Sequence, residues 1–352
     1  MSSPNEPPAR SRYREHLAQG LSAYAERSGR KPPAESVDVG RPAVRALYDR
    51  FRARPFPRTL GATDAEWLQL NLGLKDVLRE RLNDARLEAL RLRCARDGWA
   101  LHVEPLPAPA EPEALDGADT SPLRAWHAYV GRDAALVQEA AALDASMSPH
   151  QSAIKLDAPG TAADSRRLGE LLGYPPCCTA AFARWHDGLV DNWQPIASAA
   201  EASERFDPLL NNLALGSFHL IAWFPCRYDC AASLGIARRL ADELESSRPA
   251  AFAAATRALA LPRIYMDERR QLLFEGEVVG DTVRYRDVFT PYALDRQAIT
   301  AAYEWVFFAD VVATLALGDT AWLDSGSLVV ARGDQEVTRI PAPEAIWLPF
   351  GP

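Results

Sequence analysis

A chain of 352 residues is long enough to bury a substantial core and to form more than one domain. With 48% hydrophobic and 24% charged residues it excludes the disordered, collagenous and membrane-embedded classes and belongs with ordinary globular chains. The net charge of −8 argues against general nucleic-acid affinity, yet residues 1–104 hold 19 Lys and Arg against 14 Asp and Glu, while the remainder holds 20 against 33.

Residues 1–11 are polar and proline-rich and are expected to be disordered. Residues 1–20 contain no apolar signal core, and no run of about 18 uninterrupted apolar residues occurs anywhere, so a cytoplasmic chain without a membrane partner is expected. Leu17, Leu21 and Tyr24 recur at helical spacing between Tyr13 and Arg27, and a second short helix is expected from Pro42 to Arg52. From Asp64 to Trp99 an apolar stripe of Leu68, Leu72, Val77, Leu82, Leu87 and Leu90 predicts one long helix, or a helical hairpin broken near Asn83–Asp84. ALHVEPL follows as a short strand. Residues 12–104 thus read as a basic helical module. Its excess of arginine suits an acidic partner or RNA, or simply a solvated helix surface.

Residues 105–122, dense in proline and acid, predict a linker. A cysteine-bearing domain is expected over 123–260. AWHAYVGRD begins it as a strand, DAALVQEAAALDASM follows as a helix, and RRLGELLGYPPCCTAAFARWHDGL reads as two short helices joined by a Gly-Tyr-Pro-Pro elbow. FHLIAWF reads as a strand-like run before an amphipathic helix. Residues 261–352 read as a small α+β unit: strands in RIYMD, QLLFEGEVV and TVRYRDV, a helix around Arg296–Leu317, and hairpin turns at Asp324–Gly326 and Gly333–Asp334. The whole predicts an α/β or α+β protein: a helical module, a helix-rich cysteine domain with a few strands, and the C-terminal unit.

Four of the five cysteines fall in two clusters, Cys177-Cys178 and Cys226-x-x-x-Cys230, with 47 residues between them. In a cytoplasmic chain, clustered cysteines point to metal or catalysis rather than to disulfides. Proline precedes each cluster and a helix-forming stretch follows it, which places both clusters in the first turn of a helix. Free N–H groups and the helix dipole favour thiolate there. If the two helix starts face each other, Cys177, Cys178, Cys226 and Cys230 form one site, suited to an iron–sulfur cluster or to zinc. Adjacent cysteines strain a single small ion, which favours the cluster. Three ligands would leave an iron open to substrate and one cysteine free; a metal-free thiol–disulfide site is the other alternative.

Cys177 and His219 are the candidate catalytic groups. Asn211 and Asn212 are candidate ligand contacts, Tyr174 and Tyr228 flank the clusters, and His186 is expected on the surface. Cys94 reads as structural, and Arg332-Gly333-Asp334 as a turn. The chain lacks GxGxxG after a strand, GxxxxGK[ST], HExxH and GxSxG, so the common nucleotide and hydrolase signatures give no support.

LGELLGYPPCC, with His219, Pro225, Cys226, Cys230 and Ser233 downstream, resembles an uncharacterised family, domain of unknown function 483, whose pattern is close to LGYPxCC followed by a histidine and PCxxxCxxS. The resemblance covers about residues 123–350. It implies that the four cysteines act as one unit, and it supplies no activity. The expected function is iron–sulfur or other metal binding, with redox or sulfur-transfer chemistry on an unknown small-molecule or protein substrate. A structural-zinc protein that binds a partner is the alternative.

Overall fold

The computed structural model describes residues 62–106, 125–147, 162–184, 193–212, 218–266, 271–289, 315 and 317–351. The expected helices before residue 62, most of the linker, His186 and nearly all of the expected helix around Arg296–Leu317 lie outside these residues. The described chain is mixed α+β, with two antiparallel sheets. Its described residues divide into two units, one within Pro57–Ala260 and from Leu348 onward, the other within Leu261–Trp347.

The first unit begins with α1 (Ala62–Asn71), β1 (Val77–Asn83), α2 (Asp84–Asp97), β2 (Ala100–Pro105), β3 (Ala125–Gly131) and α3 (Ala134–Met147). β3 is the middle strand of a three-stranded sheet, paired with β1 from Val77↔Gly131 to Asn83↔Ala125 and with β2 from Ala100↔Gly131 to Pro105↔Trp126. Alternation along the strands sends neighbouring side chains to opposite faces. Leu78, Leu82, Ala128 and Val130 pack with Trp67, Leu87, Leu90 and Cys94 of α1 and α2. Val77 and Tyr129 pack with Val137, Ala140 and Ala141 of α3 and with Leu168 and Leu171 of α4 (Ala162–Leu171). The sheet is therefore a middle layer with helices on both faces.

This corrects the expectation of one continuous helix, or two, from Asp64 to Trp99. Gly73 takes φ +66 and ends the first helix, and Val77–Asn83 extends because β3 supplies its backbone partners. The break expected at Asn83–Asp84 is where α2 starts, with the Asn83 side chain capping the Arg86 N–H at 3.0 Å; Gly98 closes it at φ 72. The proline-rich segment after Pro105 joins two strands of one sheet, so the helical stretch and the cysteine region belong to one unit.

After α4 the unit continues with α5 (Pro176–Ala183), α6 (Trp193–Ala202), a 3-10 turn at Pro208–Leu210, α7 (Ala231–Ser247) and α8 (Pro249–Leu259). Residues 218–230 form neither helix nor strand, contrary to the strand expected of FHLIAWF. Their apolar side chains are buried all the same: Leu220 and Ile221 fully, Phe218 and Trp223 nearly so. Side chains from elsewhere serve carbonyls that a ladder would otherwise have to satisfy. The Gln69 amide donates to Leu220 O at 2.9 Å and the Asn212 amide to Trp223 O at 2.8 Å.

The sheet of the second unit has seven strands in the order β10-β4-β5-β6-β7-β8-β9, with β4 at Arg263–Tyr265, β5 at Gln271–Val279, β6 at Thr282–Phe289, β7 at Thr320–Asp324, β8 at Ser327–Arg332, β9 at Gln335–Pro341 and β10 at Ile346–Leu348. Two of its turns fall where glycine punctuation placed them: Ser325–Gly326, both at positive φ, and Gly333–Asp334. Among the described residues no helix is long and apolar enough to cross a membrane.

Candidate metal centre

The two cysteine pairs meet. The sulfurs of Cys177, Cys178, Cys226 and Cys230 all lie within 4.8 Å of one another, and together they are placed to hold a metal ion. Cys177 Sγ is 4.0 Å from Cys178 Sγ and 3.6 Å from Cys230 Sγ; Cys178 and Cys230 are 3.8 Å apart. Cys178 and Cys230 are buried, Cys226 half-buried, and Cys177 exposed.

Each pair is delivered by its own local device. Pro175 caps α5 and Pro176 opens it, so Cys177 and Cys178 stand in the first turn as the double proline predicts; Pro175 O accepts from the N–H groups of Cys178 and Thr179. Gly173, at φ +76, sets the direction of this approach: a Cβ there would lie 2.5 Å from Leu74 O and 2.7 Å from Lys75 Cβ.

The second pair departs from expectation. Pro225 starts no helix, because the turn at Arg227–Cys230 comes first, closed by Cys230 N–H to Arg227 O at 3.1 Å. Cys230 is itself the N-cap of α7, and its carbonyl takes the first helical bond, from Leu234. Asp229 anchors the turn by pairing with Arg227 and accepting from the N–H groups of Glu204 and Arg205. The Arg227 bond is the main force holding its carboxyl down to about 2.

Two ring pairs join the segments beside the sulfurs. Tyr174 lies 5.2 Å from Trp223 between centroids, and Phe182 lies parallel to Phe224 at 6.5 Å. A polar chain runs inward from the first pair. Trp223 Nε1 donates to Ser233 Oγ at 3.1 Å, and Ser233 Oγ lies 3.2 Å from Cys178 Sγ. An indole N–H only donates, so the serine keeps its own proton to give to a Cys178 thiolate. The Cys226 N–H adds a second donor to the same sulfur at 3.3 Å. Sequence reasoning placed Ser233 only through the family pattern and missed Trp223, whose role depends on a contact ten residues along the chain.

Without a cation the sulfurs share charge unequally. Hydrogen bonds from Cys178 and Cys226 pull Cys230 down, which favours its thiolate. Its contact with Cys226, then that with Cys230, then burial, push Cys178 up. Cys226 is drawn down by Cys178, but Cys230, burial and the charge of its neighbours outweigh this and push it up to about 12. A bound cation would release the remaining protons.

His219 contributes no atom to the four-sulfur group. Burial, the largest influence on it, pushes its imidazole down, and it senses Glu66 and Lys75, which pair at 2.6 Å with the lysine almost wholly enclosed. Asn211 and Asn212 spend their amide donors on Leu259 O and Trp223 O, and Tyr228 packs against Phe206 and Phe350. Cys94 sits in the core between α2 and the sheet, as a structural cysteine should. Comparison of the chain with protein-family models, with curated proteins and with solved structures gave no match.

Proposed function

We propose that the chain is a metalloprotein in which Cys177, Cys178, Cys226 and Cys230 hold one tetrahedral ion, zinc being the ion that fits best. The sulfur spacing carries this reading. Metal–sulfur bonds of about 2.3 Å put the corners of a tetrahedron about 3.8 Å apart. Three of the six separations, at 3.6, 3.8 and 4.0 Å, straddle that edge, and all six stay within 4.8 Å. In an iron–sulfur cluster each outer thiolate binds a different iron, or shares an iron that is bridged to others, so four thiolates spread more widely than one ion requires. The spacing thus supports a single ion over the expected cluster. The vicinal pair supports the same reading: at 4.0 Å its two sulfurs stand near tetrahedral spacing at the start of α5.

Four thiolates fill a tetrahedron and leave no position for substrate, which marks structural rather than catalytic zinc. The centre would tie the start of α5 to the irregular segment before α7. On this reading the activity lies elsewhere in the molecule, in binding.

Elemental analysis of the full chain, produced with both zinc and iron supplied, tests the assignment. One zinc per chain, no acid-labile sulfide and a colourless protein are expected, with tetrahedral thiolate bands after cobalt exchange. Multiple irons with stoichiometric sulfide would overturn it.

A further inference from the structure

A cleft in the first unit stands apart from the cysteines. It is bounded by α1, β1, α2 and the α7–α8 junction and has a volume of about 430 Å³, within the range of small-molecule sites. Three guanidinium groups line it. Arg93 lies over the Trp67 ring, 3.5 Å from its centroid, a stack that holds the fork in place before any ligand arrives. Arg86, seven residues earlier, lies on the same face of α2, about 10 Å along the axis. Arg248 enters from the facing wall and donates to Asp64 at 3.1 Å. Among the described residues, the nearest carboxylates to Arg86 and Arg93 are those of Glu80 and Asp97, each at 3.9 Å, beyond hydrogen-bonding reach. Their donors are therefore available to an oxyanion.

The remaining wall narrows the ligand class. Glu80 is largely buried, and its Oε1 accepts from Trp67 Nε1 at 3.0 Å. A carboxylate in this position repels a bare anion and accepts from hydroxyl groups. Leu82 and Leu90 supply apolar surface for a carbon skeleton. We infer that the cleft binds a small phosphorylated, hydroxyl-bearing molecule of sugar-phosphate type, with phosphate on the arginines and hydroxyl on Glu80. Guanidinium groups suit phosphate because their paired donors match two of its oxygens.

Isothermal titration of the full, metal-loaded chain with glucose-6-phosphate, glucose and inorganic phosphate tests the assignment. Saturable binding of glucose-6-phosphate is expected, with no measurable binding of glucose. The double variant Arg86→Gln/Arg248→Gln removes two half-exposed side chains and should weaken binding at least tenfold without moving the unfolding temperature. Glu80→Gln should weaken glucose-6-phosphate more than inorganic phosphate. No saturable binding of glucose-6-phosphate, or equal binding by the double variant, would overturn the proposal.

Discussion

Ser233 touches no metal in the proposed centre, yet it fixes the state of Cys178. Its oxygen is occupied by Trp223 and its proton is left for the sulfur, so the Trp223–Ser233–Cys178 chain favours the ligating thiolate. Removing the hydroxyl in Ser233→Ala should lower metal affinity about 10- to 100-fold while stoichiometry stays at one, measured by competition with a chromophoric chelator. Unchanged affinity would show that the hydroxyl does not reach the thiolate. The cysteines were legible because two matched clusters stand out in a cysteine-poor chain. Trp223 was not, since in sequence it is one aromatic in an apolar run. His219 was the weaker candidate and sits beside Glu66 and Lys75, a neighbourhood that no local spacing could announce.

Among the elements, α5 is held at close range by its neighbours. Gly173 lies against Leu74 and Lys75, and Gly169 lies against Thr179, so the turn before the double proline is wedged between α4 and the loop after α1. Gly173→Ala should cost about 2 kcal/mol or more in denaturant unfolding, from left-handed strain together with the clash on Leu74 O. It should also weaken metal retention, since it moves the start of the helix that carries two ligands. A loss of stability with retention intact would separate the turn from the centre. The double proline made the start of α5 readable. The two misread elements share another cause. Leu82, Leu87 and Leu90 continue a helical stripe through Val77–Asn83, but pairing with a strand about fifty residues away takes that segment as β. FHLIAWF has the composition of a strand, yet Gln69, some 150 residues earlier, takes one of its carbonyls. Both outcomes depend on partners distant in sequence, which local periodicity cannot weigh.

At the scale of the molecule the centre belongs to one unit alone. Stripping the metal with a chelator should speed amide hydrogen exchange across residues 203–212 and 218–230, where regular backbone pairing is sparse, and leave β5, β6 and β8 of the other unit protected. Equal loss of protection in both would show that the units unfold together. The junction of the two cysteine pairs also acts on the unfolded chain. One ion gripping both Cys178 and Cys226 closes a loop of roughly fifty residues, and by the chain-entropy relation for cross-links that constraint is worth about 4 kcal/mol. With such an ion bound, the irregular run before α7 would need no ladder of its own to stay in place, because the ion would already exclude most of the conformations into which it could escape.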